Sequence, residues 1–404
     1  MRILIVAHFS GMTKGDNNRF NYLAKLLAEN NEVELITSDF SHDSKRHRTP
    51  TNEKSSYKIT LIHEPAYKKN VSLKRFLSHE KFGKNLKKYL DTIEKPDVLY
   101  CAVPSIDAAY ASMRYAEKNG IRFIIDVQDL WPEAFSLVFN VPLLSNMIFY
   151  PMKRKINKVY ACADEIVGVS ESYCDRARSV NKKVDRTYPI YLGTDIADFD
   201  ENVRANKSDF SNEGFSLGYC GTLGHSYDLP CVFEAMSILK NKGTDDITLH
   251  VCGDGPLRQK FEDEVKERQI NVVFEGRLPY EKMCGVIASC DAAVNPIRKG
   301  AAQSIINKHA DYAAAGIPVI NTQESHEYKS LVEKYDMGFN CKVGDGEDVA
   351  AAIEELKNNA ELCRRMGDGA RKCALECFDR RNGYKAIEQL ITNQTGTDNE
   401  SFNS

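Results

Sequence analysis

A repeating cadence constrains this chain more than any other feature: a short apolar run, a polar or glycine-bearing loop, a helix-patterned stretch, then the next apolar run. Residues 3–8 are continuously apolar up to His8, as in a strand buried on both faces of a parallel sheet. A helix pattern over 18–29 and a strand pattern over 32–37 complete a βαβ opening. Strands are expected again over 97–102, 121–126, 165–169 and 188–199, with a helix over 105–118. Residues 200–214 are polar and read as a linker. The cadence then resumes with strands over 215–220, 247–252, 272–275 and 292–295, each leaving through a glycine, proline or asparagine turn. A chain of 404 residues exceeds what one core normally supports. The expected fold is α/β, with two Rossmann-like doubly wound domains facing each other across a cleft. Their limits are 1–199 and 215–380, followed by a helix over 381–393 returning to the first domain and a disordered tail over 394–404.

One stretch of the second half concentrates chemistry. From Gln303 to Ile320 it reads as an alanine-rich helix that Gly316 stops, then a strand behind Pro318. Ser304 suits the N-cap, and Ser304, Lys308 and Asp311 fall on one helix face at i, i+4 and i+7. Free amides at a helix start, with a lysine one turn in, form a place to hold phosphate. A carboxylate one turn deeper can accept two hydrogen bonds from a ribose diol. On pattern alone a Lys/Asp pair at i, i+3 such as Lys308/Asp311 is more often an ordinary solvated ion pair.

Composition removes several function classes. A net charge of −3 gives no field for nucleic acid. The twelve cysteines are scattered singly, without CxxC pairs or zinc spacing, so neither a disulfide framework nor a metal site is expected. No apolar run reaches bilayer length; the expectation is a cytoplasmic protein, with a peripheral place at the inner face of the plasma membrane as a further possibility. The first βα loop lacks both GxGxxG and GKS/T. Between Lys68 and Lys88 eight Lys/Arg face a single acid, Glu80, with Phe76, Leu77, Phe82 and Leu86 interleaved. A second apolar-basic run ends at Lys153–Lys158. Both fit amphipathic helices on an anionic membrane, or helices packed on a sheet with wet lysines.

The motifs Tyr219-x-Gly221-Thr222-Leu223-Gly224, Gly253-Asp254-Gly255-Pro256, Gly276-Arg277-Leu278-Pro279, Asp311-Tyr312-x-x-x-Gly316-x-Pro318 and Leu192-Gly193-x-Asp195-x-x-x-Phe199 resemble, in order and placement, those of retaining family-4 glycosyltransferases of GT-B fold. Asp129-Leu130-Trp131-Pro132-Glu133 is similar to the branch that builds bacterial capsule, O-antigen or exopolysaccharide. The resemblance implies a nucleotide-sugar donor, UDP-linked, a growing lipid-linked or oligosaccharide acceptor, retention by front-face attack, and no cofactor or metal. It implies donor contacts at Gly11, Thr222, Gly224, His225, Gly253, Arg277, Gln303, Ser304, Asn307 and Asp311, with Lys308 and Asp129 catalytic. There are departures. Gln303 stands where the family has an acid, and Gln128 where it often has a histidine. The loop after residue 220 lacks the family's diphosphate-gripping Arg and Lys, so Lys308, with Arg277 or Arg298, must replace them. Asp129 is either base or acceptor anchor, or merely the cap of its turn. Asp198-Phe199-Asp200 is formally a DxD but sits at the linker. A nucleotide-sugar epimerase and a non-catalytic nucleotide-sugar sensor remain alternatives.

Overall fold

In the computed structural model, which describes residues 1–11, 18–42, 44–49, 55–69, 72–136, 142–210, 214–301 and 305–392, the chain divides into two compact units. The first comprises Met1–Ile190 together with the chain from Tyr384 onward, and the second Tyr191–Gly383. Within the first, seven parallel strands run in the order β3-β2-β1-β4-β5-β6-β7: β1 (Arg2–Val6), β2 (Glu32–Ser38), β3 (Lys58–Ile62), β4 (Val98–Val103), β5 (Arg122–Val127), β6 (Glu165–Gly168) and β7 (Tyr188–Pro189). Burial follows the sequence: Ile3, Ile5, Leu35 and Tyr100 are sealed in the core, and Tyr384, Ile387 and Ile391 of the last helix, Arg380–Ile391, pack into that same cluster. The second unit repeats the plan with six parallel strands in the order β10-β9-β8-β11-β12-β13: β8 (Phe215–Cys220), β9 (Ile247–Cys252), β10 (Asn271–Gly276), β11 (Ala292–Asn295), β12 (Val319–Asn321) and β13 (Gly338–Asn340). Each sheet reverses its winding direction once, between β1 and β4 and between β8 and β11. In such sheets ligands bind at the carboxyl ends of the strands beside that reversal.

Several expectations are corrected in detail. The linker reading of 200–214 fails at its start, because a helix, Ile196–Asn206, runs through it. Asp195 caps that helix by accepting from the Asp198 amide at 3.2 Å, and Ile196 and Phe199 bury its apolar stripe in the second core. The strand expected over 188–199 is therefore limited to Tyr188–Pro189. A strand, Lys58–Ile62, and a helix, His326–Lys334, appear where none was expected. The former is a half-exposed edge strand with lysine at one end, and its sequence barely differs from a loop's. The tail expected over 394–404 lies outside the described residues.

Helix Leu73–Leu90 divides its apolar residues. Phe82, Leu86 and Leu90 are fully buried, whereas Leu73 and Leu77 are 81% and 64% exposed. Helix Pro142–Cys162 likewise exposes Met147, Ile148 and Tyr150, and the exposed Lys153, Arg154 and Lys158 follow along it. No helix among the described residues is long and apolar enough to cross a membrane.

Candidate nucleotide-sugar site

In the second unit the loops after β8 and β9 meet backbone to backbone. A Cβ on Gly253 would lie 1.8 Å from the Gly221 carbonyl, and one on Gly255 would lie 2.4 Å from the Leu223 carbonyl. At Gly253, one of the residues expected at the donor, only a bare backbone fits between the two loops. This packing fixes Thr222, Gly224 and His225 at the rim, where Thr222 and His225 are exposed. Arg277 is exposed behind β10, while Arg298 faces Asp228 at 3.8 Å.

The alanine-rich helix spans Asn307–Ala315, and Gly316 ends it at φ 67°. It does not start at Ser304. Ile306 holds the cap position, and its amide donates to His309 Nδ1 at 3.0 Å, so the histidine ring closes the first turn. Gln303 and Ser304 lie outside the described residues. Asn307 opens the helix on the exposed side. Lys308 and Asp311 share its buried face, each 5% exposed.

Lys308 is the anomaly. Its Nζ is buried and has no hydrogen-bond partner among the described residues. It sits over the rings of Tyr227 and Tyr219, at 4.3 and 5.3 Å from their centroids. Burial lowers its pKa to about 7. Cation–π contact offsets only part of the desolvation of an ammonium, so this nitrogen is poised for an anion.

Asp311 is held differently. The Tyr280 hydroxyl donates to its Oδ1 at 2.8 Å, and Thr194 Oγ1 lies 2.7 Å from that hydroxyl. Burial raises the carboxyl pKa to about 6, opposed by the Tyr280 hydrogen bond and by Arg380. Tyr280 was not among the expected site residues. It is 31 positions from Asp311, and only the fold shows the pairing. The Leu192-Gly193-x-Asp195 motif proves structural: Arg380 donates to the carbonyls of Leu192 and Gly193, and Asp195 caps its helix.

The expected residues of the first unit lie at its own strand ends. Gly11 follows β1, and its carbonyl accepts from Asn21 Nδ2 at 2.8 Å. Asp129 follows β5. It accepts from the Leu130 amide at 2.8 Å and from the Trp131 indole at 3.0 Å, and burial raises its pKa. Arg75 lies over the Trp131 ring at 4.7 Å. Beside it runs a polar network absent from the sequence reading. Asp126 binds Arg19 Nε and the Tyr100 hydroxyl, both at 2.7 Å. Glu64 accepts from Ser38 and Ser78 and faces His8 Nε2 at 2.7 Å. Burial alone would raise Glu64, but the bonds from His8, Ser38 and Ser78 hold it at about 2.

Comparison with known proteins gives a family match over part of the chain. Residues 200–373 match the family described as glycosyl transferases group 1. The putative glycosyltransferase EpsD of Bacillus subtilis (strain 168) is 24% identical over 309 residues, covering 74% of this chain and 77% of that one. O-antigen chain mannosyltransferase C of Escherichia coli is 23% identical over 250 residues, 61% and 64% of the two chains. Among solved structures, Anabaena HepE in complex with UDP superposes with a TM-score of 0.71 at 15% identity, covering 97% of this chain and all of that one. WaaG, a glycosyltransferase involved in lipopolysaccharide biosynthesis, gives 0.65 at 14% identity over 98% and 100%. At these identities the structures speak for the fold, and that fold is GT-B.

Proposed function

We propose that this chain, a GT-B glycosyltransferase of the group 1 kind, moves a sugar from a UDP-sugar to a growing, lipid-linked glycan acceptor during surface-polysaccharide synthesis, with retention at the anomeric carbon. The observation that carries the reading is the Lys308 amine, without a hydrogen-bond partner among the described residues and buried on the first turn of a helix at the winding reversal of the second sheet. A donor diphosphate is the partner it lacks. Binding swings the Tyr227 ring aside, and the helix N-terminal amides add their dipole. Asp311 accepts from the ribose diol alongside Tyr280. Thr222, Gly224, His225 and Asn307 line the donor's path.

The departing diphosphate is the group that needs help, and preorganised positive charge supplies it. The bond from the anomeric carbon to the diphosphate oxygen breaks as the acceptor oxygen attacks from the same face. The acceptor proton passes to the departing phosphate oxygen, and Asp129 anchors the acceptor hydroxyl. Support for the donor class comes from HepE, which was solved with UDP. Support for the pathway class comes from the O-antigen chain mannosyltransferase and from WaaG, involved in lipopolysaccharide biosynthesis. The acceptor would be met at a membrane, through the basic residues between Lys68 and Lys88 and the apolar residues exposed beside them.

The test is incubation with UDP-sugars and a lipid-linked glycan acceptor, read by mass spectrometry and by the anomeric coupling of the product. A new α-glycoside from an α-linked donor is the expected product. An isomerised donor formed without acceptor would make the chain an epimerase, and UDP-sugar binding without turnover would make it a sensor. Turnover should persist in EDTA, because Lys308 and the helix terminus stand where a divalent ion would. Loss on chelation, restored by magnesium or manganese, would overturn that assignment.

A further inference from the structure

We propose that Asp39, His47 and His63, in the first unit, form a binding site for one divalent cation of zinc's kind, separate from the donor site. Sequence spacing hides the set, because the three residues stand 8 and 16 positions apart. The fold assembles them. Asp39 follows β2 and His63 follows β3, and the parallel pairing of those strands sets the two side by side. The loop between them doubles back: the Arg48 amide donates to the Asp39 carbonyl at 2.7 Å, and Phe40 forms a bridge with His47. His47 is thereby returned to the same carboxylate.

His63 Nδ1 lies 2.8 Å from one Asp39 oxygen and His47 Nδ1 lies 3.4 Å from the other, and the donor atoms of the three residues are all within 4.8 Å of one another. Zinc–nitrogen and zinc–oxygen bonds of about 2.0–2.2 Å separate neighbouring ligands of a tetrahedral ion by roughly 3.4 Å. Small side-chain rotations therefore admit an ion, with water completing the shell. Both imidazoles are exposed, so an ion reaches them directly from solvent.

A second cluster, His8, Glu64 and His79, has comparable spacing but is a poorer candidate. It is buried, Glu64 accepts from two serines and faces His8, and Arg75 Nε points at His79 Nε2 from 3.4 Å. A cation there would meet an existing cation and spent lone pairs. At the exposed set the Asp39 carboxylate is shared, among the described residues, with the two imidazoles and the Glu64 amide. Occupancy would tie the Asp39–Arg48 loop to the sheet edge, and so raise thermal stability.

The test titrates the chelator-treated full chain with Zn²⁺ by calorimetry, then with Co²⁺ by absorption spectroscopy. Twelve free thiols compete for either metal, and the Co²⁺ spectrum distinguishes them by their thiolate charge-transfer band. One equivalent should bind with nitrogen/oxygen-type bands. Binding should weaken about tenfold or more in His47→Ala or His63→Ala, and the zinc-induced rise in Tm should vanish in the double variant. Both side chains are solvent-facing, so the variants should fold as the parent does. Absence of binding, binding unchanged in the double variant, or a thiolate spectrum would each overturn the site.

Discussion

The two units share a winding plan but treat their strand ends in opposite ways. At the first sheet's carboxyl edge the buried charges are already matched. Arg19 meets Asp126 at 2.7 Å, the Tyr100 hydroxyl and Gln128 complete that carboxylate, and Glu64 is surrounded by donors. At the second sheet's edge a lysine is buried over two aromatic rings, with no hydrogen-bond partner among the described residues. A satisfied network holds a shape, whereas an unsatisfied buried charge has been left for something else. The contrast separates scaffold from site within one repeated fold, and substitutions on the two sides should behave oppositely.

The largest effect is expected on the satisfied side. Asp126→Ala removes the carboxylate partner of Arg19, whose guanidinium is buried and whose pKa is raised by the Asp126 charge against the lowering effect of burial. Breaking such a pair should reduce unfolding free energy by about 3–5 kcal/mol, measured by urea denaturation. A loss under about 1 kcal/mol would mean that water replaces the pair and that this edge is no more committed than the other.

Lys308→Met should do the reverse. Removing a buried amine with no hydrogen-bond partner among the described residues should leave stability unchanged or raised, while UDP-sugar affinity falls by about 1.5–3 kcal/mol for the lost charged contact. Calorimetry of donor binding and thermal melting on one sample would read both. A stability loss with donor affinity intact would show Lys308 to be scaffold after all.

How much of this contrast was legible in the sequence depends on the range of the interaction. The helix at Asn307–Ala315 was legible because local chemistry dictates it: alanines propagate it and Gly316, at φ 67°, stops it. Its start was misplaced, because a histidine ring closing back on Ile306 competes with the expected serine cap. Lys308 and Asp311 could be put on one face from spacing alone. That Tyr280 already holds Asp311 could not, since a distant element supplies it. The Arg19–Asp126 pair spans 107 positions and the Asp39–His63 contact depends on strand register. Nor could the sequence show that Gly253 is required bare because its loop touches the Gly221 carbonyl.

A sharper form of the comparison uses pH. In the free chain Lys308 is neutral above about 7 and Asp311 is neutral below about 6. A diphosphate needs the ammonium, and a ribose diol is held best by the carboxylate. Affinity for UDP-glucose, whose own phosphates do not titrate in this range, should therefore peak between these values. It should weaken by up to tenfold per pH unit on either side. Stability should follow linkage with its own signs. The lowered lysine pKa makes folding less favourable as pH falls from about 10.5 to 7, and the raised aspartate pKa makes it less favourable as pH rises from about 4 to 6. Lys308→Met should erase the alkaline limb of donor binding and leave the acid limb. If both limbs survive, the titrating group is elsewhere.

The smallest effects per residue belong to the outer surface of the first unit, where the same helix serves both scaffold and solvent. Phe82, Leu86 and Leu90 of helix Leu73–Leu90 are committed to the core, and no variant of the exposed lysines should disturb them. Lys74, Lys81, Lys84, Lys87 and Lys88 face water together with Leu73 and Leu77. Each lysine beside an anionic leaflet is worth about 1 kcal/mol, fading over a Debye length of roughly 10 Å at 0.1 M salt. Individually such charges are hard to see, but their sum is not. Flotation with anionic vesicles should carry the protein at low salt and less of it at high salt. Reversing Lys81, Lys84, Lys87 and Lys88 to Glu should abolish recovery in the floating fraction without changing the melting temperature. Leu77→Ser should weaken binding while keeping its salt dependence, because an inserted side chain adds hydrophobic rather than ionic attraction. If the chain stays at the bottom of the gradient with anionic vesicles at low salt, the exposed lysines are only a solvated face and the acceptor is met in solution.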